Sequence, residues 1–311
     1  MKTIDIAILT NIRGLGSVNI TKIINYCKEH KIKDLKNLLD IDLSKIVSIK
    51  ISKSINDYLN TDISNLYENM KNILDQYQDD NIKCISIIDD KYPEILKAST
   101  NPPVILYCKG NIELLTTNCV ATIGTRKNTM LGEKITSKTI EFLVKNNITI
   151  VSGLAKGIDT VSHISTLQNN GNTIAILPLI DNIYPASNKK LAEDILNNNG
   201  LLISENKPNT SFHSSQLVKR DRIQSGLSKA VFVFETSING GSMHATNDAI
   251  KLNKTIFTPN IYKFSKEYIQ LEEVQGIKYL IDNKKSIAYT SDDYPEIINK
   301  LSLSFNQGVL L

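Results

Sequence analysis

No uninterrupted apolar run in the 311 residues approaches the length of a membrane span, and the first ten residues lack a long apolar stretch with a cleavage site. A membrane-spanning or exported protein is therefore not expected, and the cytoplasm is the expected compartment. The four cysteines, Cys27, Cys84, Cys108 and Cys119, are far apart and form no C-x-x-C pair. That spacing supports neither a zinc site nor a disulfide scaffold, and buried free thiols in a reducing compartment are the better reading. Charge is also scarce: the formal net charge is only +4. So weak a uniform field does not hold a polyanion, and any nucleic-acid site has to come from local clustering of Lys and Arg. There is no internal repeat and no low-complexity tract, only an excess of Ile, Lys and Asn.

What is present suits a sizeable globular protein. The hydrophobic fraction of 41% is ordinary, and the length suggests one large domain beside a smaller one. Residues 1–80 read as a small all-helical domain, with apolar residues at helical spacing over Ile20–Ile24 and at Leu66, Met70 and Ile73. Within it, Gly14-Leu15-Gly16 precedes a helix carrying Lys22. Such a turn suits a helix-hairpin-helix motif whose amides approach a phosphate, although a plain interhelical turn is the commoner origin of two nearby glycines.

From Cys84 onward the pattern changes. Six short apolar runs follow a linking segment: 120–123, 148–151, 173–177, 201–203, 231–234 and 255–257. Continuous β-branched runs separated by helix-length polar stretches predict an α/β fold, a doubly wound, mostly parallel Rossmann-like sheet over residues 81–290. In the helix after the first run, Leu131, Ile135 and Phe142 fall on one stripe. Residues 278–282 are expected to begin another short element, and residues 291–311 to form a closing helix and tail with no winged helix.

In such a sheet, ligands bind outside the carboxyl ends of the strands. Gly124-Thr125-Arg126 follows the first strand and leads into a helix, combining a glycine, a hydroxyl, a forked donor and a helix N-terminus into an anion site. The loop is neither G-x-G-x-x-G nor a Walker A sequence, so no cofactor is expected. After the second strand come Ser152, Gly153, Lys156 and Gly157, again suited to phosphate contact. Asp159 there is expected to cap the next helix, and His163 to be a packed residue. Lys219, Arg220 and Arg222 form the densest basic cluster, a solvated helix face if taken alone and a backbone groove if it converges with the other loops. Gly241 and Ser242 close a fourth loop, after Glu235. No Ser-His-Asp order, paired carboxylate or metal motif emerges.

These loops, in this order, resemble the DNA-processing protein A (DprA/Smf) family. The resemblance is carried by Tyr92-Pro93, Pro102-Pro103, Gly124-Thr125-Arg126, Ser152 to Asp159, Tyr184-Pro185, Ser204-Glu205 and Arg220 to Ser228. It implies single-stranded DNA as ligand, a homodimer, and the loading of RecA recombinase in DNA uptake, without enzymatic activity. Arg220 and Arg222 flank Asp221 where the family has Asn, and Leu217 stands where the family has an aromatic residue. These departures motivate one alternative, a specialised paralogue in mobile-element or phage-defence biology, and a resemblance to the related phosphoribohydrolase fold motivates another, a Rossmann-like nucleotide sensor. A nucleotide N-glycosidase is disfavoured because Asn247 occupies its carboxylate position, leaving Glu235 as a substitute only if it faces the cleft.

Overall fold

The computed structural model describes residues 1–306, so the end of the expected tail lies outside the described residues. The chain divides into two compact units.

The first unit comprises Met1–Tyr92 and Asn101–Tyr107. It holds α1 (Thr3–Leu9), α2 (Ser17–Glu29), α3 (Leu35–Leu38), α4 (Ile49–Leu59) and α5 (Ile63–Asp79), followed by strand β1 (Ile82–Ser86). Strand β2 (Ile105–Gly110), the neighbour of β1, starts in this unit. The helical expectation for residues 1–80 agrees with α1 to α5. The unit nevertheless runs past residue 80, because β1 packs on α5 and α1. Its centre is aliphatic: Ile6, Leu9, Ile23, Leu35, Leu38, Leu43 and Ile55 have no exposed surface. Gly14 sits at φ +83°, a backbone conformation that favours glycine, in the turn between α1 and α2. Asp62 caps α5 by accepting the Asn65 amide at 3.0 Å.

The second unit, Pro93–Thr100 and Cys108–Leu311, carries the sheet. It begins with α6 (Glu94–Lys97). Then β3 (Cys119–Ile123), α7 (Met130–Lys145), β4 (Thr149–Ser152), α8 (Ile158–Gln168), β5 (Thr173–Ile176), α9 (Lys189–Asn197) and β6 (Leu201–Ser204) alternate. The alternation continues with α10 (Ser215–Gly226), β7 (Ala230–Val233), α11 (Gly241–Lys251) and β8 (Thr255–Pro259). Two short helices, α12 (Lys266–Gln270) and α13 (Gln275–Asp282), precede β9 (Ile287–Tyr289) and α14 (Tyr294–Asn306). Strands β3 to β9 stand in the order β6-β5-β4-β3-β7-β8-β9, and each pairing on either side of β3 is parallel.

All six expected strands are present within two residues of their predicted limits. Every residue of β3 to β7 is buried, which is why they read as continuous apolar runs rather than alternating ones. Alternate residues feed two cores. Val120, Ile150, Phe232 and Phe257 pack with Ile140 and Leu143 of α7 and Ile297 and Leu301 of α14. Ala121, Ile123, Val231 and Val233 pack on the other side with Met243 and Ala249 of α11 and Ile277 of α13. The fold is thus α/β and doubly wound. The helix α7 departs from the predicted stripe: its buried line is Thr136, Thr139, Ile140 and Leu143, with Ile135 and Phe142 only partly covered. Threonines can occupy this line because Thr136 donates to the Gly132 carbonyl at 2.7 Å and Thr139 shares a hydrogen bond with the Tyr289 hydroxyl.

The strand order reverses between β3 and β7. From β3 the chain winds outward through β4, β5 and β6, then returns to β7 and winds the other way. The loops after β3 and β7 therefore diverge and leave a crevice at the carboxyl edge.

Candidate nucleic-acid interface

Two adjoining cavities occupy this crevice. The first, of about 410 Å³, is lined by Gly124, Thr125 and Arg126, by Gly241 and Ser242, and by Arg220, Asp221 and Asp159. The second, of about 230 Å³, is lined by Arg126, Gly153, Lys156, Tyr184, Leu217 and Arg220. Arg126 and Arg220 belong to both, so loops from four strands converge on one cleft.

The β3–α7 loop is held by a buried acid. Glu235, at the end of β7, has no exposed surface. Its carboxylate accepts the Thr129 amide at 2.8 Å, the Thr129 hydroxyl at 2.6 Å and the Tyr268 hydroxyl at 2.9 Å. Thr129 in turn caps α7 by accepting the Gly132 amide at 2.9 Å. A Cβ at Gly132 would collide with the Glu235 carboxylate. The helix N-terminus expected to receive a ligand anion is therefore already satisfied by a protein carboxylate. Glu235 lines neither cavity, so it does not replace the carboxylate that the N-glycosidase alternative needs. The Thr125 amide is likewise engaged, bonded to the Glu235 carbonyl at 2.6 Å. What this loop leaves for a ligand are the exposed Arg126 and Lys127, neither of which has an ion pair among the described residues.

The β4–α8 loop divides its predicted residues between two tasks. Lys156 is exposed and faces the smaller cavity, also without an ion pair among the described residues. Ser152 is fully buried and donates to the Thr122 carbonyl at 2.8 Å, so it ties strands together rather than facing a ligand. Gly157 has φ +77°, and a Cβ there would meet the Thr125 carbonyl. Its role is to let the two loops approach, with the Ile158 amide bonded to the Thr125 carbonyl at 3.1 Å. Asp159 does not cap α8. It accepts the Ala155 amide at 3.2 Å and lies 3.7 Å from Arg220. Burial raises its carboxyl above the usual range, against the pull of Arg220. His163 is a packed residue, its Nδ1 2.7 Å from the Thr173 hydroxyl and its pKa pushed down to about 3 by burial and by Arg220.

The basic cluster on α10 splits. Arg220 is only 5% exposed, and its guanidinium lies against Gly153, where any Cβ would displace it. Its Nη1 reaches the Ile176 carbonyl at 3.3 Å, and its Nε lies 3.1 Å from Asp221 Oδ1. That last contact is a charge pairing only, since Nε makes no well-directed hydrogen bond. Arg222 is bonded to Glu205 and lines neither cavity. Lys219 is exposed and lies outside both. On the fourth loop, Gly241 opens α11 with free space around its Cα, and the Ser242 hydroxyl is 2.6 Å from that of Thr236.

Sequence reasoning gave Tyr184 no role in the cleft. The residue is 42% exposed, borders the smaller cavity beside Leu217, and its ring stacks on Phe212 with centroids 4.6 Å apart. The surface that Leu217 forfeits is thus offered from another loop. No helix among the described residues is long and apolar enough to cross a membrane.

The comparisons with known proteins agree with this architecture. The family described as DNA recombination-mediator protein A matches residues 83–301. The DNA processing protein DprA of Streptococcus pneumoniae is 39% identical over 173 residues, which are 55% of this chain and 61% of that protein. Its counterpart in Bacillus subtilis is 31% identical over 201 residues, 64% of this chain and 67% of the relative. The matched segment thus spans about three fifths of the first relative's length. The X-ray structure of the S. pneumoniae protein superposes with a TM-score of 0.77 at 29% identity, covering 94% of this chain and 96% of that one. The Helicobacter pylori DNA processing protein A, described with a single-stranded DNA binding mode, gives 0.60 at 30% identity over 71% and 95% of the two chains. With the family model matching residues 83–301, well over half of its length, this chain belongs to the DNA recombination-mediator protein A family.

Proposed function

We propose that the cleft binds the sugar-phosphate backbone of single-stranded DNA, and that the protein acts as a recombination mediator rather than as an enzyme. The observation that carries the reading is the placement of Arg126 and Lys156, two unpaired cations, on a cleft that also exposes the Tyr184 ring. Unpaired cations exchange their counterions for phosphates, and an aromatic face stacks any base without regard to sequence. A duplex hides its base faces, so the arrangement favours the single strand. Loading of RecA recombinase onto the bound strand, a homodimeric state and a role in DNA uptake belong to this proposal and draw their support from family membership.

The test is a competition assay with labelled oligo-dT against unlabelled single strand and duplex of equal length, followed by RecA strand exchange with and without the protein. Preference for the single strand and faster exchange are expected. Equal competition by duplex, or exchange unchanged by the protein, would contradict the proposal.

A further inference from the structure

Arg220 is the one cation bordering both cavities that is held by the protein itself. It faces two carboxylates, Asp221 at 3.1 Å and Asp159 at 3.7 Å, so the trio carries a net negative charge when both acids are ionised. All three side chains are largely removed from water, with 6%, 17% and 10% of the Arg220, Asp221 and Asp159 side chains exposed. One donor nevertheless remains unused: the Arg220 Nε has no hydrogen-bond partner although Asp221 stands beside it. A phosphate entering the 410 Å³ cavity meets a guanidinium whose unpartnered Nε–H is buried behind the Asp221 carboxylate, which accepts no hydrogen bond from it.

We propose that Asp221 is a built-in competitor for the Arg220 guanidinium, closing this wall of the cleft to a phosphate until the carboxylate is neutralised. The inference rests on the single-strand reading given above. Its consequence is that binding takes up a proton, and affinity rises as the solution becomes more acidic. Every element packed around Asp221 has a stake in that equilibrium. Arg220 on its own helix and Arg126 from the β3–α7 loop favour the charged form, whereas Asp159 on α8 and Asp248 on α11 disfavour it. Burial is the largest influence, and the carboxyl is pushed up to about 6. The proton is therefore exchanged within the range a binding experiment covers. An Asn at this position keeps the shape and removes the competing charge.

The experiment is an anisotropy titration of labelled oligo-dT with the full chain, its Asp221→Asn variant and its Asp248→Asn variant, between about pH 7.5 and about pH 5.5 at constant ionic strength. Thermal melts confirm that each is folded. Asp221→Asn is expected to bind about tenfold more tightly than wild type near pH 7.5, with the two converging near pH 5.5. Asp248→Asn, which faces Asp221 without touching Arg220, is expected to keep the wild-type rise. Other pH-dependent contributions act on all three proteins alike, so the difference between slopes isolates Asp221. Parallel slopes for wild type and Asp221→Asn, or a slope lost in Asp248→Asn as well, would overturn the proposal alone. No oligo-dT binding by any of the folded proteins at either pH would overturn the single-strand reading and this inference with it.

Discussion

The two sides of the cleft hold their cations in opposite ways. Arg126 and Lys156 extend from the β3–α7 and β4–α8 loops and form no ion pair among the described residues. Arg220 and Arg222, on α10, are each held by carboxylates, Arg220 by Asp159 and Asp221 and Arg222 by Glu205. A free surface cation contributes mostly to binding, because the fold does not depend on it. A buried paired cation contributes mostly to the fold, because its removal strands the acids that face it. Counting Lys and Arg along the sequence assigns all four to one groove, whereas their partners give them separate work.

The largest effect that separates the two sides is expected from Arg220→Ala. It leaves Asp159 and Asp221 buried without a counterion, a change that costs roughly 3–5 kcal/mol. Chemical denaturation should show that loss near neutral pH and a smaller one in acid, where both carboxyls protonate. Arg126→Ala should leave the same denaturation curve unmoved. Gly153→Ala comes next. Its added methyl occupies the place of the Arg220 guanidinium, so stability should fall by about 1–3 kcal/mol.

A pH series sharpens the contrast from the acid side. Asp221 has a raised pKa in the folded state, about 6 against an ordinary 3.8. Its contribution to stability is therefore full below 3.8 and is lost as the pH rises through about 6. Asp221→Asn should accordingly melt higher than wild type above that range, by an amount on the order of 2 kcal/mol, and equal it at low pH. Glu205 supplies the mildest comparison. Arg222 and Glu205 are 21% and 18% exposed at their side chains, so Arg222→Ala should cost only about 1 kcal/mol of stability and leave oligo-dT affinity unchanged. For the aromatic rim, Tyr184→Ala should weaken oligo-dT binding by about 1–3 kcal/mol per stacked base without altering the melt.

The sheet was readable because it is buried on both faces. A strand such as β3, with Cys119 to Ile123 all covered, is built mainly of apolar residues on both faces, and six such runs at helix-length intervals point to a parallel sheet covered on both sides. Strand β9 was missed for the opposite reason: it is three residues long and Ile287 is exposed, which leaves no pattern to detect. At the site, composition located the loops and mistook some of the partners. Gly157 and Ser152 have the residue types of a phosphate cradle, but φ +77° at one and a bond to Thr122 at the other assign them to loop packing. The occupation of the α7 N-terminus by Glu235 spans 106 positions in sequence, and no local motif announces a contact that distant. The place of Tyr184 beside the cleft has no local sequence signal, since its pairing with Phe212 depends on how two loops return.

The central claim is that near neutral pH, where the Asp221 carboxylate occupies Arg220, the free cations and not the paired ones carry the electrostatic part of single-strand binding. It is tested most directly by the salt dependence of oligo-dT affinity in the Arg126→Ala/Lys156→Ala double variant. With two phosphate contacts removed, the slope of log K against log salt should become shallower by about 1.4. Arg222→Ala should retain the wild-type slope. A double variant with unchanged slope and affinity, or an Arg222→Ala variant that loses both, would contradict the account.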